Sequence, residues 1–296
     1  MELKYADIFS NTLRELYGQS QLSFDLYNSN QDLQIVQGKN LKVPKMVVSG
    51  YKDHRRGTVG FNAGTYLNDY EIKTLDHDRD IEFAIDPMDV DETNLVVSIA
   101  NIQARFEKTR AIPEVDCYTF SKLFAEAKRV NANISNTVLT KANILEQLDD
   151  DLIAFSEAGV PLDRVIMYCT PTVKKLLKTA DGIQRTLEVT GDGNIDRRVH
   201  TVDDIMKIVE VPSARLKTGY DFTNGCVPAG AAKQINYILV DPEAQVSRQK
   251  YSYIKVFTPG HDSRTADNYI YQNRKYNGTF GLDQLLKEGI RINAQA

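Results

Sequence analysis

The spacing of apolar side chains changes along the stretch from Asp76 to Phe124, and this change predicts a strand followed by two helices. Apolar residues first alternate with Asp80, Glu82 and Ala84, which is typical of a strand with one buried face: Ile81, Phe83 and Ile85. They then recur at the spacing of one helix face: Leu95, Ile99, Ile102 and Phe106. We expect Pro113 to break this first helix. The same period continues in a second helix with Cys117, Phe120, Phe124 and Ala127.

A long hairpin is predicted before this stretch. Strands are expected from Val43 to Ser49 and in an extended run from Glu71 to Ile85. About twenty residues rich in glycine and charge separate them and could not form a core, so the hairpin should project from the body and have a partner. The polar segment before it carries only a short helical pattern, Ala6 to Tyr17, and is expected to order by lying on another surface.

The second half of the chain alternates between helical and extended patterns. A helix is predicted from Thr140 to Ala158 and a buried strand from Val165 to Cys169, after which Thr170 and Pro171 should cap and open another helix. Asp192 and Gly193 suit a tight hairpin turn. Further strands are predicted at Ile208–Val211, Ile235–Val240, Tyr251–Phe257 and Asn268–Phe280. The predicted fold class is α+β.

Composition narrows the range of functions. The 296 residues are 42% apolar, and 36 basic against 40 acidic side chains give a net charge of −4. Proteins that bind nucleic acid by neutralising phosphates are usually clearly basic, so that class is disfavoured. Three widely spaced cysteines, Cys117, Cys169 and Cys226, imply neither a disulfide framework nor a metal knuckle. We expect a protein of a reducing cytoplasm, without a signal peptide or membrane span.

Known catalytic and metal motifs are not apparent. The acidic set lacks the glycine and terminal glutamate of a calcium loop, and a capping box from Asp89 to Glu92 accounts for it as well: Asp86, Asp89, Asp91 and Glu92. The histidines are dispersed and expected to be structural or solvated: His54, His77, His200 and His261. Gly191 to Gly193 fits a turn better than a phosphate loop. We therefore expect no cofactor, no metal and no catalytic residues, with an unrecognised α/β enzyme as the alternative.

One local basic cluster and one acidic cluster are candidate inter-subunit residues. The basic residues occupy the hairpin tip: Lys52, His54, Arg55 and Arg56. The acidic ones begin the next strand: Asp76, Asp78 and Asp80. A solvated loop face is the simplest interpretation of such a charge run. The functional interpretation is that the tip docks on the acidic patch of another chain, where complementary charge would fix register.

Five segments, in order along the chain, carry a resemblance to a known family. They are DRDIEFAIDPMDVDET (78–93), ARFEKTRAIPEVDCYTFSKL (104–123), VIMYCTPTVKKLL (165–177), VPSARL (211–216) and YIKVFTPGHDSRTADNYIYQNRKYNGTF (253–280). In these the chain resembles the major capsid proteins of tailed double-stranded DNA bacteriophages, in the branch found in phages and prophages of Gram-positive bacteria. The final LLKEGIRI departs from the family pattern.

The resemblance implies the Hong Kong 97 capsid fold and its division into domains. The N-terminal arm would span 1–42 and the extended-loop hairpin 43–88. The peripheral domain, with its long spine helix, would comprise 89–136 and 243–283, and the axial domain 137–242 and 284–296. The implied function is self-assembly as pentamers and hexamers into an icosahedral or prolate head.

The resemblance also implies partners and a location. The head would enclose double-stranded DNA without sequence-specific binding, would be assembled in the host bacterial cytoplasm and would form part of the virion. A portal protein and, in some relatives, a decoration protein would join it. Because the arm begins almost at Met1, a separate scaffolding protein is expected. Some relatives join a loop lysine to a neighbour's asparagine, for which Lys52 and Asn277 would be the pair, although nothing in the sequence selects them. An encapsulin-type compartment shell shares the fold and is the main alternative.

Overall fold

The computed structural model describes residues 21–27, 29, 40–54, 60–88, 99–181, 201–202, 206–260 and 267–295. The helices in this part of the chain are α1 (Phe24–Tyr27), α2 (Ile99–Phe106), α3 (Ile112–Arg129), α4 (Ile144–Glu157), α5 (Pro171–Lys178) and α6 (Asp283–Gly289). The strands are β1 (Asn40–Val48), β2 (Tyr66–Thr74), β3 (His77–Ile85), β4 (Asn133–Ser135), β5 (Ile166–Cys169), β6 (Thr201–Val202), β7 (Met206–Glu210), β8 (Tyr220–Asp221), β9 (Val227–Pro228), β10 (Ile235–Val240), β11 (Gln245–Phe257), β12 (Tyr269–Gly281) and β13 (Ile290–Ala294). The predicted α+β class is confirmed.

A mixed six-stranded sheet, ordered β4-β13-β10-β5-β7-β6, forms the larger half of the body. Its central strand β10 is buried on both faces, as the apolar run from Tyr237 to Val240 requires. Ile238 and Val240 pack in the same cluster as Phe120 of α3. Tyr237 and Leu239 pack in a second cluster with α4 and α5. The sheet is therefore a layer between α3 on one side and α4 with α5 on the other.

An antiparallel three-stranded sheet, ordered β11-β12-β3, forms the other half. It packs against α3, so this helix contacts both sheets. The backbone leaves β12 through Gly281, passes through α6 and enters the larger sheet as β13. The chain also crosses between the sheets from β10 to β11, so the two sheets are joined by α3 and by these two connections.

The long helical segment does not break at Pro113. Residues Glu107–Ala111 form a π-helical turn between α2 and α3, and Ala111 and Ile112 both have helical backbone angles. Pro113 lies in the first turn of α3, where a missing N–H costs little. The predicted break at this residue is wrong, because the π turn accommodates the proline within a continuous helical path.

The projecting hairpin is confirmed, and its boundary differs from the prediction. Strands β1 and β2 pair in one unbroken antiparallel register, from Asn40 opposite Thr74 to Val48 opposite Tyr66. The extended run from Glu71 to Ile85 is not one strand. It divides at Leu75, which is buried, and the part beyond belongs to β3 of the three-stranded sheet.

Most of the other predicted elements are confirmed, with ends that differ by up to four residues except in β11, which begins at Gln245 and not at Tyr251. They are the helix from Thr140, the strand before Thr170 and the four later strands. The Thr170 hydroxyl accepts a bond of 3.4 Å from the Val173 amide, as a cap should. The helix from Ala6 to Tyr17, the cap at Asp89, the first turns of the spine helix and the turn at Asp192 and Gly193 lie outside the described residues. Among the described helices, none has the length and apolar character to cross a membrane.

Candidate assembly surface

The β1–β2 hairpin presents an apolar face to solvent. Because residues opposite one another in an antiparallel pair share a face, the register places five apolar side chains together: Met46, Val48, Tyr66, Tyr70 and Ile72. All five are more than half exposed. An isolated two-stranded ribbon is marginally stable in water, and a contiguous exposed apolar patch marks an interaction surface. The face is suited to packing against another molecule.

The base of this hairpin is attached firmly to the body. Lys73 of β2 donates to Asp283 of α6 over 2.5 Å, and Arg129 of α3 donates to the same carboxylate. Hydrogen bonds from Arg129 and Lys73 lower the pKa of Asp283 to about 2. The Tyr276 hydroxyl donates to the Leu75 carbonyl over 2.6 Å. The hairpin therefore leaves the body in a defined direction, while its outer part is exposed.

The basic tip is solvent-exposed where the structure describes it. Lys52 and His54 are both exposed, and the Lys52 ammonium donates to the Ala63 carbonyl over 3.1 Å. Arg55 and Arg56 lie outside the described residues. The tip thus has the exposure that docking requires, and its docking stays a prediction.

The acidic candidates are partly neutralised within the chain. Asp76 accepts from Lys122 over 2.5 Å and from the Tyr118 hydroxyl. Burial works against the charged form of Asp76, but these two bonds outweigh it and lower the pKa of the carboxyl. Asp78 receives two bonds from the Arg274 guanidinium, at 3.0 and 2.6 Å. Asp80 is exposed and lies opposite Arg274 in the strand register.

An open groove of about 530 Å³ runs along the exposed face of the three-stranded sheet beside Asp80. Glu82 adds a second carboxylate, and the rings of Tyr251 and Tyr253 stack in parallel at 6.5 Å. Arg274 lies over the Tyr251 ring at 5.9 Å. Sequence reasoning found Asp80 but missed the tyrosines, because only the pairing of β11 and β3 with the two edges of β12 brings them into one groove. The groove offers acidic and aromatic contacts to a cationic segment.

His77 is a buried structural residue beside the acidic candidates. Its ring stacks on Tyr118 at 4.1 Å and meets the edge of Phe222 at 5.0 Å. Its Nε2 atom lies 3.5 Å from Glu114 Oε1. Burial lowers the pKa of His77 to about 4. The expectation of a structural or solvated histidine is confirmed for His77 and His54; His200 and His261 lie outside the described residues.

The described part of the N-terminal segment is fastened to α3 by one buried carboxylate. Asp116 accepts from the Ser23 amide at 3.1 Å, the Ser23 hydroxyl at 2.8 Å and Arg215 at 3.2 Å. Leu26 is fully buried in the core beside it. Burial raises the pKa of Asp116 despite these donors. Residues 21–27 therefore lie on the body, as expected for a segment that cannot form a core of its own.

Comparisons with known proteins identify the architecture. No protein-family model matches the chain, and no curated protein matches it. The mature capsid of bacteriophage PhiM1 superposes with a TM-score of 0.62 at 15% identity, over 88% of this chain and 83% of that chain. The capsid of cyanophage P-SCSP1u gives a TM-score of 0.58 at 14% identity, over 88% of this chain and 85% of that chain. The capsid of Myoviridae phage XM1 gives a TM-score of 0.53 at 10% identity, over 88% of this chain and 86% of that chain.

The chain has the Hong Kong 97 capsid fold. The resemblance to tailed-phage capsid proteins seen in the sequence is thus confirmed at the level of the fold. At these identities the comparison establishes the architecture alone. Among the described residues, no group of three or more histidine, cysteine, aspartate or glutamate side chains is arranged to hold a metal ion.

The structure argues against the lysine–asparagine pair named from the sequence. Lys52 is exposed at the hairpin tip. Asn277, however, is 2% exposed within β12, opposite His77 of β3. A lysine from another chain could not reach this buried amide without opening the sheet.

Proposed function

We propose that this chain is the major capsid protein of a tailed double-stranded DNA bacteriophage. Pentamers and hexamers of it would close into a head that encloses the DNA and forms the shell of the virion. The observation that carries the proposal is the apolar face of the β1–β2 hairpin, held out from a body with a capsid fold. A monomeric enzyme has no use for such a surface, whereas a shell subunit buries it against a neighbour. We accordingly assign it no catalytic activity.

The proposed division of labour follows the elements. Residues 1–42 would be the N-terminal arm and 43–88 the extended loop. The peripheral domain would comprise 89–136 and 243–283, with α2 and α3 in its spine, and the axial domain 137–242 and 284–296. One subunit surface must serve both pentamers and hexamers, which requires joints between such parts more than rigid contacts.

The hairpin tip would dock in the groove of a neighbouring subunit. The tip carries Lys52, His54, Arg55 and Arg56, and the groove carries Asp80 and Glu82 with the two stacked tyrosines. Cations over aromatic faces and beside carboxylates are favourable, and opposite charges speed encounter. Asp76 and Asp78, already paired with Lys122 and Arg274, would contribute less.

Assembly would take place in the host bacterial cytoplasm with further partners. We propose a separate scaffolding protein and a portal protein, with a decoration protein as an optional addition. DNA would be enclosed without sequence-specific contacts, which suits a chain of net charge −4. Each subunit contact can be weak, because many contacts act together once neighbours are in place.

Expression of the chain, alone and with a candidate scaffolding protein, tests this proposal. Size-exclusion chromatography with light scattering and negative-stain electron microscopy should reveal capsomers or closed shells. Particles that package DNA through a portal support a phage head. Particles that enclose an enzyme and lack a portal would assign the chain to the compartment-shell alternative. A monomer under every condition, with and without the scaffolding protein, contradicts both.

A further inference from the structure

Helices α4 and α5 cover the same face of the six-stranded sheet, toward its opposite edges. The Ser135 hydroxyl of β4, which is one edge strand, donates to Gln147 Oε1 of α4 over 3.4 Å. The Lys174 ammonium of α5 lies 2.9 Å from a carboxylate oxygen of Glu210, the last residue of β7. In the order β4-β13-β10-β5-β7-β6, α4 therefore lies toward the β4 edge and α5 toward the β7 side. This helical layer has two different flanks.

The exposed face of α4 is acidic around one apolar side chain. Its members recur at spacings of four, three and four, which places them on one side of the helix: Glu146, Asp150, Ile153 and Glu157. All four are exposed, Ile153 to 59%. Glu157 stands in the last turn, where a negative charge opposes the helix dipole, so helix stability does not account for it. An apolar centre within a polar rim is the usual anatomy of a protein interface.

The outer flank of α5 has the opposite charge. Its apolar side is buried, and three lysines occupy the other faces: Lys174, Lys175 and Lys178. Lys178 follows Lys174 by about one turn, so both point toward β7. Glu210 neutralises Lys174. Within the part of the chain that the structure describes, Lys175 and Lys178 are therefore the charges of this helix that a partner can pair.

Opposite charges on opposite flanks of one layer suit a ring of identical subunits. Such a ring uses two different surfaces of each subunit, one for each neighbour. We propose that the α4 face carrying Asp150, Ile153 and Glu157 docks on the α5 face carrying Lys175 and Lys178 of the next subunit around each pentamer and hexamer. The contact rests on the proposed function, of which it names one interface. The charges fix the register and speed encounter, and Ile153 is buried at the centre.

Two charge-reversal variants of the full chain provide the test. The basic variant carries Asp150→Lys and Glu157→Lys, and the acidic variant carries Lys175→Glu and Lys178→Glu. Each variant expressed alone brings like charges together in every ring contact, so its capsomer yield at low salt should fall by about tenfold or more. The chain with all four substitutions should recover, because its contacts pair opposite charges again. Lys128→Glu, at an exposed position of α3 on the other side of the sheet, is the matched control and should assemble as the wild type does.

Mixing the two variants separates a ring contact from a loss of folding. In a ring where the basic and acidic variants alternate, every contact joins opposite charges, and only an even number of subunits can alternate. The mixture should therefore recover hexamers in preference to pentamers. Native mass spectrometry of the capsomers counts both.

Three results would overturn the contact: capsomers at the wild-type yield from either variant alone, a mixture that recovers no hexamers, or a four-substitution chain that stays unassembled. Each of these leaves the shell proposal standing when the wild type forms capsomers in the same experiment. A wild type that never forms rings contradicts the shell proposal and this contact together.

Discussion

Leu75 lies directly over the backbone of Gly278, at the point where the projecting hairpin joins the body. A Cβ atom on Gly278 would lie 1.9 Å from Cδ2 of Leu75. The close approach lets Leu75 enter the core between β2 and β3, with Val246 and Phe280 in the same cluster. The direction in which the hairpin leaves the body thus depends on the absence of one side chain in β12.

Gly278→Ala is expected to destabilise the folded chain by about 1–3 kcal/mol, because the added methyl group overpacks a fixed neighbour. Chemical denaturation of the unassembled chain measures the loss. Gly230→Ala is the matched control, since no atom lies within 4 Å of a Cβ there. In the double variant Leu75→Ala/Gly278→Ala, the free energy of unfolding should fall by less than the sum of the decreases in the two single variants. Additive losses would show that the two residues are not coupled.

Acid should weaken the fold through His77. Its pKa in the folded chain is about 4 against the ordinary 6.5, so between these values only the unfolded chain gains the proton. The free energy of unfolding is therefore unaffected by this group above pH 6.5. It decreases as the pH falls from 6.5 toward 4, by up to about 3 kcal/mol. Glu114, Asp76 and Asp78 favour the protonated ring and Arg79 opposes it, so burial is the deciding cause.

The His77→Phe variant isolates this effect, because it keeps a ring against Tyr118 and removes the titrating group. Unfolding free energies of the unassembled chain at pH 7 and pH 4.5 should differ less in the variant than in the wild type. An equal pH dependence in both proteins would mean that His77 is not the responsible group.

The apolar hairpin face should matter for assembly and not for folding. Met46 is 66% exposed, so Met46→Glu should change the stability of the unassembled chain by no more than about 0.5 kcal/mol. It should abolish or strongly reduce particle formation, because a charge would be buried against the neighbour. Val138→Glu is the control, at a site 78% exposed and outside the hairpin. Normal particles from Met46→Glu would exclude this face from the interface.

Charge reversal tests the docking of the tip in the groove. Lys52→Glu should slow assembly by about tenfold at low salt and by less at high salt, since screening removes the attraction. Light scattering after mixing with scaffolding protein measures the rate. Adding Asp80→Lys to Lys52→Glu should recover part of the lost assembly rate. The control Lys141→Glu, at another exposed site, should have little effect on the rate. A double variant slower than either single one would place the two charges in different contacts.

The sequence predicted correctly those elements whose pattern of apolar residues lies within the element itself. The α4 helix and strands β5 and β10 carry strong periodicity or continuous apolar runs, and the structure confirms them. The division at Leu75 was missed because the run from Glu71 to Ile85 contains no glycine or proline to mark it. Its cause is Gly278, a residue distant in the sequence. The groove tyrosines were likewise missed, since only strand pairing in the folded chain brings them to the groove.

An electron cryo-microscopy map of the assembled chain tests the central claim most directly. We expect pentamers and hexamers in a closed shell, with each β1–β2 hairpin crossing to a neighbour and burying Met46, Tyr66 and Ile72 there. A map in which the hairpin folds back on its own subunit, or one in which its apolar face stays in solvent, would contradict the account.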